Sequence, residues 1–137
     1  MISDELRQKL VAVAQDARQM AYVPYSHYRV GAALLSASGR IYTGVNIENA
    51  AYPTGICAER VAVFKAVSEG ERQFIAIAVV TDNGGSPCGS CRQVLSEFGL
   101  DTIVLIADGQ GMVCTETSVG GLLPGAFGPS DMVNYSS

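Results

Sequence analysis

The sequence predicts an α/β fold, and three observations carry the prediction. Leu6, Leu10, Val13, Ala17 and Met20 recur at steps of four, three, four and three, one apolar stripe of a helix. Residues 30–47 read as two strands around the turn Ser36-Ala37-Ser38-Gly39. Two later runs, Phe74–Val80 and Thr102–Ala107, are continuous apolar stretches of strand length, as expected of strands buried on both faces. Each follows a helical pattern.

The first helix starts at Ser3, whose hydroxyl can cap the first amides, with Asp4 and Glu5 at the positive end of the dipole. It is expected to run to about Tyr22, before Pro24. Residues 22–28 form an aromatic loop, either a cover for the core or one wall of a pocket for a flat ring. His27 is the one histidine, and its ordinary reading is a loop residue. Val30–Leu35 and Arg40–Ile47 make the hairpin, with Gly39 free to take positive φ. Asn46 and Glu48 stand two apart at its end, so both side chains leave one face. They either hold a hydroxyl from two sides or form a solvated strand terminus. Cys57, Val61, Phe64 and Val67 give a second helix ending near Gly70. Pro87 opens a third, carrying Cys91, Val94, Leu95 and Phe98 as far as Gly99. Asp108–Gly111 is a tight turn, and Met112–Thr115 is a short strand in which Cys114 serves as a small core hydrophobe. The segment after Thr117 suggests a helical turn weakened by Gly120-Gly121. Phe127, between glycines, must cover something in this subunit or another. Residues from about 130, and Asn134–Ser137 above all, read as a loose end.

At 137 residues the chain is expected to be a single domain, 1–137. Charged residues make up 16%, against a usual share of about 25%, which hints at surface buried in an oligomer. The net charge of −4 and the lack of a basic cluster argue against nucleic acid and for a small substrate. No secretory pattern opens the chain, and no apolar run approaches the roughly 20 residues of a membrane span, so a cytoplasmic location with no membrane contact is expected. Four cysteines there are metal ligands, catalysts or core residues before they are disulfides.

The chemistry concentrates in Cys57-Ala58-Glu59-Arg60 and Pro87-Cys88-Gly89-Ser90-Cys91-Arg92-Gln93. Cys88 and Cys91 have the spacing that lets two sulfurs meet one tetrahedral ion. Both lie near a helix start, where unpaired amides favour thiolate over thiol, and Cys57 occupies the matching place on its own helix. Three protein ligands and one open position form the pattern of a catalytic zinc. Glu59 lies two positions after a ligand, about 200° round a helix, and cannot readily share that ligand's position; it can exchange protons beside the open one. Three thiolates on a divalent ion sum to −1, so a donor must offset them. Arg60 and Arg92 are candidates, Arg60 the stronger. A closed site of four cysteines including Cys114 is the competing structural reading.

These residues resemble the zinc-dependent nucleoside deaminases, specifically the small homotetrameric cytidine deaminases with three cysteine ligands. The zinc deaminases set a three-ligand zinc beside a non-ligating glutamate. Residues 21–35, Asn46-Ile47-Glu48-Asn49-Ala50-Ala51-Tyr52 and Leu122-Leu123-Pro124-Gly125-Ala126-Phe127 extend the likeness over nearly the whole chain. The resemblance implies a three-layer α/β/α fold with a mixed, roughly five-stranded sheet. It implies hydrolysis of cytidine and deoxycytidine at C4 to the uridines plus ammonia, in pyrimidine salvage. One Zn²⁺ per chain would be held by Cys57, Cys88 and Cys91, with Glu59 shuttling the proton. It implies that Asn46 and Glu48 hold the ribose, that the backbone of Ala58 and of the segment before Cys88 contacts the base, and that Arg60 and Gln93 support the ligands. Tyr28 takes the place of a ring-packing phenylalanine, so its hydroxyl needs a partner. Phe127, and in the same way Tyr52, would reach a neighbouring subunit's site.

Overall fold

The computed structural model describes residues 2–132. Ser3 opens α1 (Asp4–Arg18), its hydroxyl accepting from the Leu6 amide at 3.1 Å. Strands β1 (Gly31–Ser36) and β2 (Ile41–Val45) form the hairpin, with Gly39 at φ 91°. Helix α2 (Ala58–Ser68), β3 (Phe74–Val80), α3 (Gly89–Ser96) and β4 (Ile103–Ala107) follow in alternation. An edge strand β5 (Val113–Ser118) and the short α4 (Val119–Leu122) complete the regular elements.

The five strands form one sheet in the order β2-β1-β3-β4-β5. Only β3 and β4 pair in parallel; the other neighbours are antiparallel. Alternation along the strands divides the core into two layers. Ala33, Leu35, Ala76, Ala78, Val80, Leu105 and Ala107 face α1, meeting Leu10, Val11 and Ala14. Ala32, Leu34, Ile77, Val79, Val104 and Ile106 face the other way, onto Ala58, Ala62, Val63 and Ala66 of α2 and Leu95 of α3. The expected three-layer α/β/α sandwich is therefore present. Each fully buried branched side chain, such as Leu34 or Ile77, contributes about 1.5–3 kcal/mol through area removed from water.

Small residues set how closely the layers approach. A Cβ on Gly31 would overlap the Ala14 carbonyl of α1, and one on Gly44 would overlap the Ala58 carbonyl of α2. Close approach explains why the buried face of α2 differs from the expected one. The helix turns Ala58, Ala62, Val63 and Ala66 to the sheet, one residue round from the stripe of larger side chains, and leaves Phe64 47% exposed.

Other boundaries moved for identifiable reasons. Helix α1 stops at Arg18 rather than about Tyr22 and leaves Met20 78% exposed. Tyr22 there exchanges backbone bonds with Asn46 and Glu48, which a continued helix would forbid. Pro87 lies one residue before the N-cap of α3, which is Cys88. Strand β5 reaches Ser118, because pairing with β4 and the Arg7–Glu116 ion pair hold a polar segment that has no apolar alternation. Cys114 on β5 is exposed and is no core residue, since both faces of this edge strand meet solvent. The tail forms a 3-10 turn at Pro129–Asp131, held by the Asp131 carboxylate accepting from Gly128. The loose end expected at Asn134–Ser137 lies outside the described residues. No helix among the described residues is long and apolar enough to cross a membrane.

The tight α1–β1 contact predicts that Gly31→Ala lowers the unfolding free energy by about 1–3 kcal/mol in urea titration, as overpacking does. A loss below about 0.5 kcal/mol would show that α1 can back away from the sheet freely.

Candidate active site

Strands β2 and β3 both run antiparallel to β1, and so parallel to each other. Each therefore delivers its following helix at the same end of the sheet. Residues 46–57 lead from β2 into α2, and residues 81–88 lead from β3 into α3. Cys57 is the N-cap of α2 and Cys88 that of α3, and neither side chain is spent on a capping bond. Cys91 lies in the first turn of α3, fully buried.

The three sulfurs converge. Sγ of Cys57 and Cys88 are 3.8 Å apart, those of Cys88 and Cys91 3.5 Å, and all three lie within 4.8 Å of one another. Metal–sulfur bonds of about 2.3 Å in a tetrahedron separate ligands by about 3.8 Å, so the donor set and its spacing fit zinc. Cys114 is not part of this group; its thiol donates to the Met112 carbonyl. Three cysteines leave a fourth position open.

Charge is unevenly shared. Hydrogen bonds from Cys91, Arg60 and Cys88 pull the Cys57 thiol down to about 5 against the cost of burial. Cys91, as the donor to Cys57 and in a buried site near Glu59, is pushed up. Arg60 Nη2 stands 3.5 Å from the Cys57 sulfur, and its buried Nε has no partner among the described residues. Arg92, the weaker candidate, does not serve the sulfurs. Each of its three guanidinium nitrogens donates to the loop or tail instead, to the Pro87 and Leu122 carbonyls and to Ser86 Oγ, bracing the loop before Cys88. Gln93 likewise supports no sulfur; it donates to the Phe127 carbonyl at 2.8 Å.

Glu59 is only 4% exposed, and burial, helped by the Cys57 charge, raises its carboxyl to about 7. It lines an inner cavity of about 210 Å³ with Cys57, Ala58, Cys88, Tyr28 and Asn46. An outer cavity of about 550 Å³ continues past Asn46 and Cys57 to Glu48, Arg60 and Tyr52. Tyr52 is 73% exposed and meets Tyr25 edge to face at 5.7 Å, over the outer cavity of its own chain. Phe127, 60% exposed, lines neither cavity of its own chain.

Asn46 and Glu48 sit on the cavity wall, just beyond the end of β2, and their polar atoms brace the loop over the site. Asn46 accepts from the Val30 amide and donates to the Tyr28 carbonyl. Glu48 accepts from the amides of Tyr25 and Ser26 and from the Ser26 hydroxyl, which holds its carboxyl below the usual range. His27 is exposed at φ 59° and lines neither cavity. Ser26 lines the outer cavity from the loop read as a pocket wall, and Ser86 the inner one from the segment before Cys88; sequence reasoning missed Val30, Thr81 and Gly85, which line the inner cavity. Their types and spacing carry no signal, because loop folding alone brings them there.

Comparison with known proteins agrees with this geometry. Residues 4–107 match the family model described as the cytidine and deoxycytidylate deaminase zinc-binding region. A cytidine deaminase of Sporosarcina psychrophila is 53% identical over 128 residues, covering 91% of this chain and 93% of that protein. One of Halalkalibacterium halodurans is 52% identical over 129 residues, covering 92% and 97%. The crystal structure of cytidine deaminase from Burkholderia pseudomallei superimposes with a TM-score of 0.83 at 43% identity, covering 92% of this chain and all of that one.

Cys114→Ser is expected to retain one zinc per chain by elemental analysis, whereas Cys91→Ser loses most of it. Loss of zinc in Cys114→Ser would reinstate the closed four-cysteine site.

Proposed function

The chain belongs to the cytidine deaminase family, and from that premise we propose that it hydrolyses cytidine and deoxycytidine to uridine and deoxyuridine with release of ammonia, in cytoplasmic pyrimidine salvage. The observation that carries this reading is the pairing of three converging sulfurs with one buried carboxyl on the wall of a ring-sized cavity.

Cys57, Cys88 and Cys91 would hold the zinc, which would supply Lewis acidity toward water near neutral pH. The chain does the rest. Glu59, buried and with its carboxyl raised to about 7, takes a proton from the water that adds at C4 and delivers it to the pyrimidine. Glu59 then carries the second proton from the hydroxyl added at C4 to the amino group; the C4–N bond breaks, the C4 carbonyl forms and ammonia leaves, so one water is consumed for each ammonia released. Arg60 draws charge from the Cys57 sulfur and so offsets the −1 of three thiolates on a divalent ion. The backbone of Ala58, at the first turn of α2 where amides lack helical partners, faces the base. Asn46 and Glu48, on the wall shared with the outer cavity, hold the ribose while keeping the loop over it in shape.

The working unit is a homotetramer with shared sites. Phe127 supports this, because Gln93 fixes its carbonyl while its ring projects into solvent away from the chain's own cavities. The exposed Tyr52 stands at the rim, where it can meet a neighbour as well as its own pocket.

Cytidine and deoxycytidine are each expected to lose absorbance in the cytosine band when mixed with the zinc-loaded protein; an unchanged spectrum at high enzyme would refute the reaction. Glu59→Gln is expected to keep its zinc and lose about 10²–10⁴-fold in kcat. An unaffected kcat would remove Glu59 from proton transfer. Light scattering is expected to give four times the 14.4 kDa chain mass, and a monomer active on cytidine would exclude shared sites.

A further inference from the structure

The loop that precedes the second pair of cysteines is held from several directions. The Asp82 carbonyl accepts from Gly109 and its carboxylate from Arg18, while Gly85 donates its amide to Thr81 Oγ1 at 2.6 Å. The link to the aromatic loop across the cavity is the Tyr28 hydroxyl, which donates to Asn83 Oδ1 at 2.7 Å. That hydroxyl occupies the space that a Cβ on Gly85 would need, and the next nearest atoms to such a Cβ are 3.5 Å and 3.7 Å away. Gly85 has no positive φ, so its backbone conformation does not demand glycine. The steric demand comes from one oxygen atom at the end of a rigid ring. Tyr28, Thr81, Gly85 and Ser86 all line the inner cavity that also holds Glu59 and the Cys57 and Cys88 thiols.

We propose that Tyr28 and Gly85 are a matched pair: the tyrosine hydroxyl, held by Asn83 and admitted by the missing side chain of Gly85, closes the end of the inner cavity and limits the ring substituents the site accepts. The inference rests on the deaminase reading for its substrate class, while the fit between the two residues stands on packing alone. Tyr28 is thus a specificity-determining residue, and Asn83 is a positioning residue that keeps the ring in place. A phenylalanine at position 28 would leave room beside Gly85 for a methyl group, either on residue 85 or on the substrate.

The test is a four-protein cycle of wild type, Gly85→Ala, Tyr28→Phe and the double variant, measured by thermal melting and by kcat/KM. The substrates are cytidine and cytidines methylated at ring carbon C5 or C6. Gly85→Ala alone is expected to lower Tm by about 5 °C, and most of that loss should be recovered in the double variant. Tyr28→Phe is expected to shift the ratio of kcat/KM toward at least one methylated substrate by about tenfold, the effect of one methyl in an apolar pocket. Asn83→Ala should raise KM for cytidine several-fold with little change in kcat, and Asn83→Asp, which keeps the acceptor oxygen, should restore it. Equal melting losses from Gly85→Ala in both backgrounds would overturn the matched pair. An unchanged substrate ratio in Tyr28→Phe would overturn its role in specificity. If the wild type converts no cytidine, the deaminase reading fails and takes the specificity role with it, while the melting cycle still decides the fit.

Discussion

The site depends on two helices that begin at the same end of one sheet. Because β2 and β3 run in the same direction on either side of β1, the chain leaves each of them at one edge and enters α2 and α3 there. The first turn of a helix presents unpaired amides and the positive end of a dipole. Two such ends meeting favour thiolates in a site that is only partly open to solvent, with Cys91 buried, Cys57 half-buried and Cys88 exposed. Cys57, Cys88 and Cys91 occupy it at tetrahedral spacing, and Arg60 adds a formal positive charge beside Cys57. Glu59, on the same first turn but buried in a region already rich in sulfur, experiences the opposite pressure and is pushed toward its neutral form. Hydrogen bonds and helix-end amides favour the metal-binding thiolate at Cys57, while burial above all keeps the proton carrier beside it near its neutral form.

Holding that geometry falls to polar side chains acting on backbone rather than to further apolar packing. Glu48 and Asn46 tie down residues 25–30. Arg92 ties the loop before Cys88 to the Leu122 carbonyl, and Gln93 holds the carbonyl of Phe127. The first two turns of α3 therefore anchor both a metal-ligand loop and the C-terminal segment that carries an exposed ring. Bonds from a charged donor to buried or half-buried carbonyls are among the stronger ones in proteins, which suits a site that must keep its shape when loaded and unloaded.

Much of this was legible in the sequence. The strands at 74–80 and 103–107 announced themselves as continuous apolar runs because both their faces are covered. The metal set was visible because ligand chemistry restricts residue type and spacing so severely. The buried face of α2 was not legible: large apolar residues marked one stripe, but the close approach of helix to sheet at Gly44 selected the neighbouring stripe of alanines. Cys114 misled for a related reason. A short apolar stretch suggested a core strand, yet it lies at a sheet edge where Val113 and Cys114 stay exposed.

The sequence by itself determined the chemistry of the centre, namely three thiols, one acid and one arginine at two helix starts, since these follow from local spacing and residue type. Tertiary structure alone decided what each supporting residue does. Whether Arg92 faces sulfur or carbonyl, whether Glu48 braces a loop, and why Gly85 must lack a side chain depend on atoms distant in sequence brought within hydrogen-bond or van der Waals range. Such contacts leave no local pattern, because they are properties of the folded sheet edge and its loops rather than of any single stretch of chain.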